Sequence, residues 1–184
     1  KGPKSVAVLM FLGALLLAFQ AYGDYQLHSA EDLSEEEINT LLQTPNSQAG
    51  DGDEVTVEQY QAFHDDARES GGYLVRAVGL GIGVSLMFIG SILLFQLKPL
   101  GAWLNVSGAV TGLGSGIIGS WLVGGAATAN LAGPLLLTYE ILMYFCGVCM
   151  FTCIGLAALP LLNARARLAL YPNPEVVLVA DQEE

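Results

Sequence analysis

Four apolar runs, residues 5–22, 77–97, 102–127 and 135–162, are almost free of ionised side chains, and no other pattern restricts this chain as much. Each reaches or exceeds the ~18–20 residues a helix needs to cross a bilayer core about 30 Å thick. No water reaches the backbone there, so each run is expected to close its own hydrogen bonds as a helix. Apolar residues make up 53% of the 184 and charged residues 14%, and the charges are segregated between the runs. The expected fold class is an all-α integral membrane protein with four transmembrane helices. Its spans are 1–22, 74–97, 102–127 and 135–162, with an acidic helix-loop-helix at 23–73 and a tail at 163–184.

The first run also fits a signal peptide, since Lys1 and Lys4 precede it and Ala21 and Gly23 are spaced like a cleavage site. Carried in the chain, it is expected to serve as an anchor. Orientation follows from the basic residues. Cytoplasmic termini put Lys1, Lys4, Lys98, Arg165 and Arg167 inside and leave only Arg68 and Arg76 outside. The expectation is integration into the cell membrane, N-in and C-in, with 23–73 extracytoplasmic. Most of the net charge of −11 then belongs to that outer segment. A chain this acidic lacks the basic footprint of a nucleic-acid binder. The partners expected instead are membrane lipid and further copies of the chain or other membrane subunits. Asn105-Val106-Ser107 has the form of a glycosylation acceptor, but this topology places it on the cytoplasmic side.

Two short helices are expected outside the membrane. Ser34 with Glu37, and Thr56 with Gln59, have the reciprocal capping-box spacing. Ile38, Leu41 and Leu42 follow the first pair at helical spacing, and Tyr60, Phe63 and Ala67 follow the second. The stretch from Thr44 to Glu54 between them reads as turn. Helix, acidic loop, helix is the outline of a calcium-binding loop. In that register the terminal carboxylate position falls on Gln59 and the obligatory glycine position on Asp53, so the pattern fails. Asp51, Asp53, Glu54 and Glu58 are left as a weak divalent-cation site at most, and a solvated acidic turn is the simpler reading. His28 and His64 read as surface residues of the same segment.

Glycine is the residue that most weakens a helix after proline, yet residues 108–125 are crowded with it. Projected at 100° per residue, Gly108, Gly112, Ser115, Gly116 and Gly119 share one side, opposite Val106, Val110, Leu113, Ile117 and Trp121. Gly108, Gly112, Gly116, Ser120 and Gly124 follow a strict four-residue step, and the second span carries Gly79 with Gly83 and Gly81 with Ser85. Small residues let membrane helices approach closely, so these positions are expected to form a helix-packing or oligomer interface. A four-residue step drifts about 40° per repeat. The strip therefore either crosses one neighbour right-handedly or touches two in succession. Packing inside one bundle and packing at a subunit interface or pore wall both satisfy this.

Glu140 is the one acid well inside an apolar run, roughly 8 Å from its start at 1.5 Å per residue. An intramembrane carboxylate marks a functional-site hypothesis. It is expected to pair with Arg76, to stay protonated and hydrogen-bonded, or to line an ion path. Tyr144, Gly147, Phe151 and Ala158 share its face. Cys146, Cys149 and Cys153 lie on the opposite face without a histidine or carboxylate, and read as small apolar residues. Beyond Pro172 and Pro174, Val176 to Val179 form a short β-prone run that could dock on a partner edge. No cofactor, metal or catalytic constellation stands out. The expected function is that of a non-enzymatic accessory or scaffold subunit packed through glycine-rich helices into a larger assembly. Two alternatives stand beside it: a homo-oligomeric channel with the third span at the pore and Glu140 near its outer mouth, and an adhesion or receptor-like module using the acidic segment.

Overall fold

The computed structural model describes residues 2–50 and 52–171, and these are helical throughout with no strand. Seven helices occur among them: α1 Gly2–Ser29, α2 Glu35–Ser47, α3 Val57–Glu69, α4 Gly72–Phe95, α5 Pro99–Asn130, α6 Gly133–Leu162 and α7 Ala164–Leu170. Helices α1, α4, α5 and α6 are long and apolar enough to cross a membrane. The expected class, an all-helical protein with four candidate membrane spans, is therefore what the structure shows.

The bundle is built on the α4–α5 pair, where backbone meets backbone. A methyl added at Gly83 would lie 2.7 Å from the carbonyl oxygen of Gly108, and one at Gly101 would lie 2.6 Å from that of Gly90. No side chain fits there. The contacting small residues are spaced seven, four and seven apart on each helix: Gly72, Gly79, Gly83 and Gly90 on α4, and Gly101, Gly108, Gly112 and Gly119 on α5. Alternating steps of seven and four hold one face of a 3.6-residue helix on its partner, whereas a run of four-residue steps alone rotates away from it. Helix α1 lies on α4 through Met10, Ala14 and Leu17, and α6 closes the middle of the bundle with Met150 and Ala157.

At one end, α2 and α3 form a cap rather than a loose loop. Both capping boxes are present, with the Ser34 amide donating to Glu37 at 3.0 Å and the Thr56 amide to Gln59 at 2.9 Å. Ile38, Leu42, Val55, Phe63 and Ala67 are buried against Tyr73, Val123, Ala127 and Leu131 at the ends of the long helices. Asn46 holds the two cap helices together, donating to the Val55 carbonyl at 2.9 Å and accepting from the Val55 amide at 3.0 Å. Arg68 ties the cap to the end of α1, donating to the Ala30 carbonyl at 2.6 Å and bridging Asp32 and Asp65. Gly133, at φ +54°, starts α6 against the Asp53 carbonyl, 2.8 Å from where a methyl would stand, so glycine is required there on both counts.

Several boundaries differ from expectation. Helix α1 runs seven residues beyond 22, because Gln26 and Ser29 bond back to the preceding turn and the buried Asp24 has a cationic partner. Helix α2 continues through Pro45 to Ser47, where expectation had turn; a proline in the last turn forfeits only one intrahelical bond. His64 is buried, 6% exposed, under the cap rather than on the surface. Helix α7, begun by the Asn163 side chain accepting from the Arg165 and Ala166 amides, returns Leu170 to a small cluster with Ala7, Leu94 and Ala102. Asp51 of the acidic turn and the Val176 to Val179 run lie outside the described residues.

Candidate functional site

Among the described residues two acids stand within the four long apolar helices, and the structure treats them oppositely. Asp24, on α1, is 2% exposed and faces Arg76, which lies one turn into α4. The guanidinium makes a two-point bond, its Nε donating to Oδ2 at 3.1 Å and Nη2 to Oδ1. Its carbon reaches to 5.9 Å from the Tyr73 ring centre, and Tyr139 of α6 flanks the same group. Gly119 makes room for the arginine stem, since a methyl there would collide with Arg76 Cγ. A planar fork matched to a carboxylate is the geometry in which a desolvated pair is best satisfied.

Asp24 thus replaces Glu140 as the carboxylate partner of Arg76. The expected pairing failed because α1 was expected to end at 22, two residues short of Asp24. The signal was present: Met10, Leu17 and Asp24 are spaced by sevens, with Ala7, Ala14 and Ala21 on the same interval, so Asp24 continues the inward face of α1.

Among the described residues Glu140 makes no hydrogen bond or ion pair, and it is the one unpaired acid of the four long apolar helices. It lines a crevice of about 470 Å³ between α5 and α6, with Ser120, Gly124, Thr128, Tyr139 and Met143. Ser120, Trp121 and Met143 also border a deeper cavity of about 290 Å³, which runs inward past Gly116 and Gly147 to Leu80, Gly112 and Met150. Methyl groups at Gly116 or Gly147 would meet nothing within 4 Å, and one at Gly124 would touch only the Met143 sulfur. Cys146 is on the cavity wall.

The eight small residues expected to act as one interface therefore divide. Gly79, Gly83, Gly108 and Gly119 are closed against the paired helix of the same chain, and Gly112 is closed by Met150 and Leu80. Gly116, Ser120 and Gly124 fall out of the seam and border the crevice and cavity. The reason is the drift of a four-residue step around a 3.6-residue helix.

Sequence reasoning missed a polar link within the seam. Asn105, fully buried, donates to the Gly101 carbonyl at 3.0 Å and accepts from the Ser91 hydroxyl at 3.1 Å, joining α5 to α4. The apparent glycosylation acceptor is therefore an interior helix residue. Among the described residues no group of three His, Cys, Asp or Glu is placed to hold a metal ion. The fold defines a class, an all-helical protein with four candidate membrane spans and a helical cap; no family model, curated protein or solved structure matches the chain.

Proposed function

We propose that this chain is a non-enzymatic membrane subunit that joins a larger assembly. In this reading both termini and the Lys98 turn are cytoplasmic and the α2–α3 cap is extracytoplasmic, at the cell membrane. The observation that carries it is the state of α6. One side of this helix packs on the cap and bundle through Leu135, Tyr139, Met150, Ile154 and Ala157, while Tyr144, Phe145, Val148 and Phe151 project from it largely uncovered. Lipid offers little hydrophobic gain over another helix, so lateral association depends on packing shape. The projecting aromatic ridge on α6 supplies such a shape, and the glycines of the α4–α5 seam are already occupied within the chain.

Native mass measurement of the protein extracted in mild detergent tests this. The expected particle exceeds the 19.4 kDa chain, contains other chain types, and is weakened by Phe145→Ala with Phe151→Ala. Recovery of the lone chain at every detergent concentration would reject it. The second reading, a homo-oligomeric channel with α5 at the pore, draws on the unpaired Glu140. It requires a ring of one chain type and a cation flux in liposomes that Glu140→Gln abolishes.

A further inference from the structure

We propose that the α5–α6 crevice binds an amine-headed membrane lipid, with its ammonium group at Glu140 and one acyl chain in the cavity bordered by Gly116 and Gly147. Three independent features converge on this occupant. The first is charge. Glu140 is an unpaired carboxylate on a wall whose other groups are apolar or neutral. Arg76, at the end of the deeper cavity, is already matched by Asp24. The net demand of the site is therefore for one cation, and an anionic headgroup would meet a carboxylate.

The second feature is depth. Helix α6 has 30 residues, so it is about 45 Å long against a hydrocarbon core of about 30 Å, which leaves roughly 7 Å beyond each side if centred. Glu140, seven residues after Gly133, is then about 10 Å from the helix start. It lies just inside the boundary, where a lipid amine can reach it while the chain runs inward. The third feature is shape. The cavity continues from the crevice toward the bundle centre past Leu113, Ile117 and Met150, and it exists because Gly116 and Gly147 carry no side chains. Its volume of about 290 Å³ is at the lower limit of small-ligand sites, and its lining is almost wholly apolar, as an acyl chain requires.

Trp121, 76% exposed at the junction of crevice and cavity, supplies the probe. In a Trp103→Phe background it is the sole tryptophan, and bromine on an acyl chain quenches it on contact. The protein is placed in phosphatidylcholine nanodiscs doped with brominated phosphatidylethanolamine, phosphatidylcholine or phosphatidylglycerol. The ethanolamine lipid is expected to quench at a several-fold lower mole fraction than the choline lipid, and the glycerol lipid least. Glu140→Gln should bring the ethanolamine and choline lipids level, and Gly147→Leu should lower quenching by all three. Equal quenching by the three headgroups in the unmutated site overturns the proposal without reference to any variant. A preference for phosphatidylglycerol, an ethanolamine preference that survives Glu140→Gln, or quenching blocked by a second copy in a dimeric particle overturns it as well.

Discussion

Helix α5 has two glycine-bearing faces, and they do opposite things. Toward α4, glycine removes the space between helices: Gly83 and Gly108 place backbone on backbone. Toward α6, glycine leaves space unfilled: Gly116 and Gly147 border a cavity that their missing side chains create. The charges divide in the same way. The closed side includes a carboxylate and a guanidinium bonded at two points, and the open side includes a carboxylate with no partner among the described residues. The cost of glycine in a helix is the same on both faces. On one face close packing offsets it. On the other, no group among the described residues fills the space beside Gly116 and Gly147.

Substitution of single glycines separates the two faces most sharply. Gly108→Leu puts a side chain where a backbone oxygen already lies, and should abolish folded yield in detergent, as severe overpacking does. Gly116→Ala should fold at the normal yield with a melting temperature close to that of the parent protein. If both variants fold equally well, the faces do not differ and the seam is not the foundation of the bundle.

The carboxylates come next in expected effect. Arg76→Gln or Asp24→Asn alone leaves a buried charge unpartnered and should cost about 3–5 kcal/mol, while the double change should cost much less. Glu140→Gln removes a charge that has no internal partner, so its effect on stability should be below ~1 kcal/mol. Thermal unfolding of the four variants in one detergent decides this, and a large loss from Glu140→Gln would erase the contrast.

A smaller effect concerns pH and the cap. Hydrogen bonding to Arg68 holds the Asp65 carboxyl below its ordinary value, and the Ser34 hydroxyl and amide do the same for Glu37 in the capping box. A depressed folded-state pKa contributes stability above the unfolded value and loses it as pH falls through the folded one. The cap should therefore hold from neutrality down to about pH 4 and loosen below it, near the ordinary carboxyl values. Asp65 is 49% exposed, so the change is modest and screened by salt. Amide exchange should rise in α2 and α3 below that pH while the α4–α5 seam stays protected. Simultaneous loss of protection in both would show that cap and bundle unfold as one unit.

The smallest effect belongs to the turn between α4 and α5. Leu97 has φ +61°, the left-handed conformation that glycine favours at a helix end. Leu97→Gly should relieve about 1 kcal/mol of backbone strain and raise the melting temperature slightly. A lowered melting temperature would mean that the Leu97 side chain contributes more than its backbone costs.

By itself the sequence determined the four candidate spans, the helical class and the two cap helices. Those depend on local quantities: length of apolar run, absence of breakers, and the three-residue interval of a capping box. Ser34 with Glu37 and Thr56 with Gln59 could be read because both partners lie on one turn. Arg76 could likewise be recognised as a charge needing an acid. Tertiary structure decided which acid, because Asp24 is 52 residues away and reaches Arg76 only when α1 continues past residue 22 and packs on α4. It also decided which glycines are closed and which are open. On α5 a run of four-residue steps and an alternating seven-and-four spacing share Gly108 and Gly112, and only the position of α4 selects between them. Asn105 shows the same limit: its sequence form discounted it as a glycosylation acceptor but gave no sign of the bond to Ser91 that joins α5 to α4. Local preference is a property of neighbouring residues in the chain, whereas closure of a seam, pairing of a charge and opening of a cavity are properties of two helices at once.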